Sequence, residues 1–166
     1  MAIEWQLMTN DNTIQPLPNM EIKVEKLTKL YGQQKAVDDI TFTVNTGEIV
    51  GFLGPNGAGK STTMKIITNY IASNGGDVFV GGISVRENPG KVKSHIGYLP
   101  ENNPLYHEMP VIDYLAFCAA ILGVAKEKIS GRVRHMVKLC GLNEEKHKKI
   151  GELSKGYRKR VGLAQA

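Results

Sequence analysis

Residues 54–62 are the part of this sequence whose residue types and spacing most clearly allow chemistry. In the pattern G-x-x-x-x-G-K-[ST], glycines let backbone N–H groups turn inward around a phosphate, the lysine reaches the outer phosphates and the next hydroxyl ligates Mg2+. The pattern predicts a nucleoside triphosphate with Mg2+ as the ligand, and a glycine-rich turn beside a surface lysine is the alternative. The residues of the predicted cradle are Gly54, Pro55, Asn56, Gly57, Ala58, Gly59, Lys60, Ser61 and Thr62.

The segments on either side of this loop are predicted to hold it in place. An apolar run at 49–53 predicts a buried strand leading into the loop, and residues 60–70 predict a helix leading out of it. The positive end of that helix dipole would face the same anion as the lysine. Strand, loop and helix together predict an α/β nucleotide-binding core.

The hydrophobic period changes along the chain. Runs typical of strands lie at 22–28, 40–44, 77–80 and 95–99, and one or two helical turns are predicted at 89–94. Apolar residues at three and four spacing then predict two packed helices at 111–122 and 129–140. Glycines at 75–76 and 141 are interpreted as turn or helix-stop signals, and the strand-like run at 77–80 is followed directly by Gly81 and Gly82. The order predicts an α/β core followed by an all-helical insert.

Composition indicates a globular domain of the cytoplasm. The 166 residues are 42% hydrophobic and 22% charged, which is enough for one core. Cys118 and Cys140 have no C-x-x-C spacing and are predicted to be reduced core thiols. The longest apolar run, at 114–124, is too short to cross a bilayer. The net charge of +5 is mild, so nucleic acid is not expected as a partner despite the basic C-terminal end.

The first nineteen residues have neither a basic n-region nor an apolar h-region, so they are not predicted to be a signal peptide. Because the first strand-like alternation follows Met20 directly, Met20 is a candidate natural start and residues 1–19 are interpreted as an extension.

Four motifs in order make the chain from Met20 onward resemble the ATPase subunits of ATP-binding cassette (ABC) transporters. Besides the phosphate loop, residues 153–157 read LSKGY, which is similar to the family signature L-S-G-G-Q. Tyr31 stands where the family stacks an aromatic ring on adenine, with Val37 beside it. Residues 97–101 resemble the segment that ends in the family's Mg2+-sensing glutamine, here Glu101. Residues 99–106 are similar to the same segment of bacterial exporter and gliding-motility ATP-binding proteins.

The resemblance implies a role for each matched residue, and three of them also have a plainer interpretation. Tyr31 and Val37 would contact adenine, although a tyrosine at a strand end commonly packs half-buried. Ser61 and Glu101 would ligate Mg2+, although Glu101 is also interpretable as a solvent-facing loop acid. Ser154 and Gly156 would contact the γ-phosphate held by another subunit, although Ser154 also fits an ordinary helix N-cap.

The family's architecture implies the partners and the location. Two ATPase subunits would close head to tail on ATP, and a transmembrane permease subunit would dock on the groove between the 101–106 loop and the helical insert. The chain would be cytoplasmic and peripheral at the inner face of the cell membrane. The implied organisation is an extension (1–19), an α/β nucleotide-binding core with an antiparallel β subdomain (20–106), a helical subdomain (107–152), and the signature with the start of the next helix (153–166).

The family's catalytic acids are expected beyond Ala166. The sequence ends before the family's Walker B strand with its aspartate and general-base glutamate, and none of its histidines (His95, His107, His135 and His147) stands at the family's switch position. The chain is therefore predicted to bind ATP or ADP without hydrolysing it, and to self-associate. A small kinase or GTPase and a soluble ABC-type ATPase acting on nucleic acid or ribosomes remain alternatives.

Overall fold

The computed structural model describes residues 19–166, which form two compact units that meet in sequence at Ile96 and Gly97. We call residues 19–96 the sheet unit and residues 97–166 the helical unit. The sheet unit contains four strands and two helices: β1 (Ile22–Tyr31), β2 (Gln34–Val44), α1 (Lys60–Ile67), β3 (Gly75–Val80), β4 (Ile83–Ser84) and α2 (Pro89–Lys93).

The sheet unit is an antiparallel sheet in the order β2-β1-β3-β4. The central position of β1 is visible in the register, because Val24 pairs with Phe42 on one side and with Val78 on the other. The side chains of Val24 and Leu27 are fully buried, as their alternation with charged residues predicts. Ile66 and Ile67 of α1 belong to the same core, so the helix after the phosphate loop is anchored to the sheet.

The first two strands are longer than predicted. The first strand continues to Tyr31, and the second already begins at Gln34. Gly32 takes a left-handed turn (φ 59°) that joins the two strands as a hairpin. Register shifts interrupt their pairing, and Lys26 (φ 47°) and Asp39 (φ 49°) lie at these irregularities.

Two predicted strands do not form. Residues 49–53 and 95–99 are outside every strand, and the side chains of Ile49 and Leu53 are 98% and 91% exposed where burial was predicted. A buried strand needs neighbours for its backbone groups and its side chains, and no strand of residues 19–166 lies beside these segments. The predictions of a buried strand at 49–53 and of a strand at 95–99 are therefore wrong for the described residues.

The helix predicted at 60–70 ends earlier, at Ile67. Asn69 adopts a left-handed conformation (φ 53°) and donates its N–H to the Ile66 carbonyl, which closes the last turn. The glycine pair at 75–76 was predicted to be a turn, but both residues belong to β3. Gly76 (φ 70°) lies directly against the backbone carbonyls of Glu25 and Lys26, which leaves no room for a side chain.

The helical unit follows the predicted pattern closely. Its elements are α3 (Val111–Ile121), α4 (Lys126–Leu139), a short 3-10 turn (Ile150–Glu152) and α5 (Lys155–Gln165). Gly123 (φ 79°) and Gly141 (φ 64°) follow the ends of α3 and α4, which confirms that position 141 is a helix stop. Cys118 and Cys140 are free thiols, and both are partly buried where they pack against the core of this unit. The core includes Val111, Leu115, Val133, Val137 and Val161, contributed by α3, α4 and α5.

Within residues 19–166, no helix combines the length and the apolar content that crossing a bilayer requires.

Candidate functional site

The phosphate loop connects residue 53 to the first turn of α1. Gly57 (φ 85°) and Gly59 (φ 83°) are both left-handed, a conformation that costs other residues free energy. Ala58 donates its N–H to the Pro55 carbonyl at 3.3 Å, which closes a turn over residues 55–58. The loop therefore has the tight bend that its glycine spacing predicts.

Several backbone N–H groups around this bend have no acceptor among the described residues. They include the first N–H groups of α1, which no helix can satisfy internally. In residues 19–166 no carbonyl or side-chain oxygen accepts a hydrogen bond from the N–H groups of Asn56, Gly57, Gly59, Lys60 and Ser61. A row of N–H groups at a helix start is a site for an anion.

The Lys60 ammonium lies over the same loop. Its Nζ donates to the carbonyl oxygens of Gly54 at 2.7 Å and Pro55 at 2.6 Å. Because an ammonium has three donors, these two bonds leave it able to donate to a phosphate as well. The geometry adds a positive charge to the row of N–H groups, as the motif predicts.

Gly59 attaches the loop to β2. A Cβ on Gly59 would overlap the Ala36 carbonyl oxygen and would lie 3.2 Å from Val37 Cγ2. Val37 itself is buried in the core of the sheet unit. The structure therefore brings the predicted residue Val37 next to the phosphate loop. The contact with Ala36 was missed in the sequence, where an alanine in a strand carries no signal of its own.

Tyr31 lies at the tip of the same hairpin, where it pairs with Gln34. Tyr31 is 52% exposed, so about half of its surface is accessible, which fits both a half-buried strand-end tyrosine and a ring open to a ligand. The Lys29 ammonium lies 5.4 Å from the ring centroid, a contact that the sequence did not predict. Since Gln34 is two residues from Ala36, the ring lies at the same end of β2 as the phosphate loop.

The hydroxyl residues after Lys60 differ in environment. Ser61 is exposed on the first turn of α1, and Thr62 is partly buried. Thr63, which was not predicted as a site residue, is only 1% exposed and donates its hydroxyl to the Gly59 carbonyl at 3.0 Å. This bond holds the loop on α1 and leaves the Ser61 hydroxyl as the exposed oxygen.

The remaining predicted site residues belong to the helical unit. Glu101 is exposed on the segment that precedes α3. Ser154 is the N-cap of α5 and accepts a hydrogen bond from the Tyr157 N–H at 3.4 Å, so the predicted helix cap is present. Gly156 is exposed on the first turn of the same helix. The phosphate loop, Tyr31 and Val37 thus come together in one unit, while Glu101, Ser154 and Gly156 lie in the other.

Comparison with known proteins gives a consistent picture. Residues 37–166 match the family model described as ABC transporter. The chain is 40% identical over 141 residues to an uncharacterized ABC transporter ATP-binding protein of Methanocaldococcus jannaschii, covering 85% of this chain and 49% of that protein. It is 34% identical over 143 residues to a probable multidrug ABC transporter ATP-binding protein of Escherichia coli, covering 86% of this chain and 25% of that protein.

Similarity extends to solved structures. One of them is cbiO1 from Clostridium perfringens, described as part of the ABC transporter complex cbiONQ. It matches with a TM-score of 0.78 at 27% identity, covering 89% of this chain and 61% of that chain. The chain spans about half the length of the first curated relatives that it matches.

Proposed function

Because this chain belongs to the ABC transporter family, as the match over residues 37–166 shows, we propose that it binds MgATP and that the whole protein couples ATP binding and hydrolysis to transport across a membrane. The α/β phosphate-loop fold with an antiparallel sheet and a helical unit is the fold of this family's ATP-binding domains. The observation that carries the proposal is the phosphate loop itself, with its row of N–H groups and the ammonium of Lys60.

The base of the nucleotide is assigned to the hairpin of β1 and β2. Tyr31 offers an exposed ring at its tip, and stacking on a purine base contributes about 1 to 3 kcal/mol in comparable sites. Val37 adds an apolar contact next to Gly59. The hairpin therefore supplies the adenine side of the site and the loop supplies the phosphate side.

Mg2+ fits the exposed oxygen donors predicted for it. The cation prefers hydroxyl, carboxylate and phosphate oxygens, and Ser61 presents its hydroxyl at the start of α1. Glu101 is the proposed carboxylate ligand from the helical unit. When bound, Mg2+ neutralises charge on the phosphates, and Lys60 shares the phosphate contacts.

A second ATPase subunit is the proposed partner at the signature. Gly156 lies on the first turn of α5, and a Cβ on it would meet no atom closer than Ser154 Oγ at 3.9 Å. Packing inside the helical unit therefore does not require glycine at this position. Glycine costs about 1 kcal/mol in a helix relative to alanine. A close approach by another molecule, here the γ-phosphate on a head-to-tail partner, would explain its presence together with Ser154.

A membrane-embedded permease is the second proposed partner. The similar protein cbiO1 is described as part of a transporter complex. In the helical unit, Tyr106 and Phe117 are 59% and 41% exposed and contact each other edge to face at 5.8 Å between ring centroids. This aromatic pair borders the groove proposed to receive the permease, which would place the chain in the cytoplasm at the inner face of the membrane.

Nucleotide titration tests the function. Titrating the 166-residue chain with MgATP by calorimetry should give saturable heat. Lys60→Ala should weaken binding by roughly 10- to 100-fold because a charge-assisted hydrogen bond contributes about 1.5 to 3 kcal/mol. Lys65→Ala is the matched control, since Lys65 is an exposed lysine of the same helix. Equal binding by the two variants would refute the site. Phosphate release from the same samples tests the expectation that this chain does not hydrolyse ATP.

A further inference from the structure

The outer side of α4 carries cations that the packing of the helical unit leaves exposed. Val133 and Val137 are buried in the core of this unit, so they fix which side of the helix faces inward. Lys128, Arg132 and His135 are all exposed. Because these three residues follow one another at spacings of four and three, they lie on one side of the helix. Their arrangement is therefore held by a packed helix and not by a loop.

This side of α4 carries no carboxylate. Glu127 is the single acidic residue of the helix, and its spacing places it with Arg134 and Lys138 on another side. The salt bridges found within residues 19–166 involve no side chain of α4. In the part of the chain that the structure describes, the charges of Lys128 and Arg132 are thus available to anions from outside.

Exposed apolar side chains adjoin these cations. Leu122, which follows the end of α3, is 69% exposed and lines the same small pocket as Arg132, so the two residues lie close together. Leu139 is 50% exposed and lies seven residues after Arg132, on the same side of α4. We call Leu122, Lys128, Arg132, His135 and Leu139 the basic face. It joins positive charge to accessible apolar surface.

We propose that the basic face docks directly on an anionic phospholipid bilayer. The anionic groups of the lipid heads would pair with Lys128 and Arg132, and the side chains of Leu122 and Leu139 would enter the headgroup boundary. Charge complementarity together with the exposed leucines favours this occupant. Single-stranded nucleic acid is commonly bound on aromatic rings, and the basic face offers none besides the imidazole of His135.

The contact would be additional to the proposed attachment through a permease. The inference uses the proposed location only because the cytoplasmic leaflet is the one that carries anionic lipids. It requires neither bound nucleotide nor the groove beside the 101–106 loop.

Flotation with lipid vesicles tests the proposal on the 166-residue chain. The chain should float with vesicles of equal parts phosphatidylcholine and phosphatidylserine and should not float with phosphatidylcholine alone, and added salt should weaken the binding. Lys128→Glu with Arg132→Glu should weaken binding roughly 30-fold, because each cation lost near an anionic surface costs about fivefold. Leu122→Ser should weaken binding about fivefold through the lost apolar contact.

Each change has a matched control. Arg134→Glu with Lys138→Glu alters the net charge equally on another side of the same helix, and it should weaken binding less than about threefold. Leu163→Ser replaces a leucine that is 54% exposed on α5 and should bind like the parent chain. Circular dichroism should show that all of these variants are folded.

Three results would overturn the proposal. Equal losses in the two double variants would reduce the effect to net charge, and equal flotation with neutral and anionic vesicles would remove the role of the cations. Tighter binding of polyuridine or polyglutamate than of the anionic vesicles would assign the basic face to nucleic acid or to an acidic protein segment. Calorimetry with MgATP on the same variants, which should bind nucleotide like the parent chain, separates each of these failures from a failure of the nucleotide site.

Discussion

Among single residues, the proposed nucleotide site separates into a phosphate side and a base side. In this proposal Lys60 and the loop N–H groups would contact only phosphates, which every nucleotide carries. Tyr31 is the residue whose ring could distinguish a nucleotide from a bare polyphosphate, because a π-face is available to any base. Its exposure and its place on the hairpin next to Gly59 make this role testable.

Tyr31→Ala should weaken ATP binding by about 5- to 100-fold, the equivalent of about 1 to 3 kcal/mol of lost stacking. Binding of inorganic tripolyphosphate should change less than about twofold, since only the phosphate side is engaged. Tyr70→Ala is a close control: Tyr70 is 73% exposed and lies under the Lys65 ammonium at 5.9 Å, much as Tyr31 lies under Lys29. Parallel losses for ATP and tripolyphosphate would show that Tyr31 does not contact the base.

Among the helices and strands, the phosphate loop depends on its contact with β2. Gly59 has two reasons to be glycine, a left-handed backbone and the Ala36 carbonyl that occupies the space of a side chain. Gly47 is also left-handed (φ 83°), but no atom lies within 4 Å of the place that its Cβ would take. Comparing alanine substitutions at the two glycines therefore separates the free-energy cost of the left-handed backbone from the cost of the steric clash.

Gly59→Ala should destabilise the chain by about 1 to 3 kcal/mol more than Gly47→Ala, because it adds a clash with the Ala36 backbone to the same left-handed strain. It should also abolish measurable MgATP binding by displacing the loop from β2. Chemical denaturation followed by circular dichroism measures the first effect and calorimetry the second. The idea fails if the two variants have the same stability and Gly59→Ala still binds ATP.

For the molecule as a whole, buried titratable groups couple stability to pH. Burial raises the pKa of Tyr114 above its ordinary value of 10.0, and its hydroxyl donates to Gln165 Oε1 at 2.6 Å. Burial also raises the pKa of the Cys118 and Cys140 thiols. Because the unfolded chain then loses these protons first, the folded state binds more protons in alkaline solution. Stability should therefore be full below the unfolded pKa values and fall as pH rises above them.

The free energy of unfolding should accordingly fall between about pH 8 and about pH 10.5, with Tyr114 contributing up to about 1.4 kcal/mol per pH unit above its unfolded pKa. Tyr114→Phe should lower stability at about pH 8 by about 1 kcal/mol through the lost hydrogen bond, yet it should flatten the alkaline fall. Tyr70→Phe, at an exposed tyrosine, should leave the slope unchanged. Urea unfolding across this pH range measures these free energies. If the free energy of unfolding fell equally steeply with pH in the parent chain, Tyr114→Phe and Tyr70→Phe, the prediction would be contradicted.

Self-association also concerns the molecule as a whole. The almost complete exposure of Ile49 and Leu53 leaves an apolar, unpaired segment, while Phe52 next to it packs on Phe42 at 5.5 Å between ring centroids. Such segments are templates for pairing with another chain. We propose that copies of the isolated chain associate through residues 49–53.

Size-exclusion chromatography with light scattering should show a mass that rises with concentration. Ile49→Lys should shift the chain toward the monomer, because a charge in the contact must be desolvated. Thr43→Lys adds the same charge at an exposed position of β2 and should have little effect. A monomer at every concentration would contradict the proposal.

Local sequence patterns were enough to predict the family and most elements of this protein, and the nucleotide ligand that they also indicate stays a prediction. The spacing of Gly54, Gly59, Lys60 and Ser61 predicted the phosphate loop, because N–H direction and lysine reach follow from local backbone geometry. The periodicity of 111–122 and 129–140 predicted α3 and the later turns of α4, since helices form from contacts close in sequence. LSKGY was likewise recognisable, and its serine is the N-cap of α5.

Contacts between distant parts of the chain decide which apolar runs are paired and which side chains meet. Residues 49–53 have the composition of a buried strand, but whether they are buried depends on neighbours that are distant in sequence. The support of Gly59 by the Ala36 carbonyl has the same origin. It arises where separate segments pack together, and no local pattern of residues records that packing.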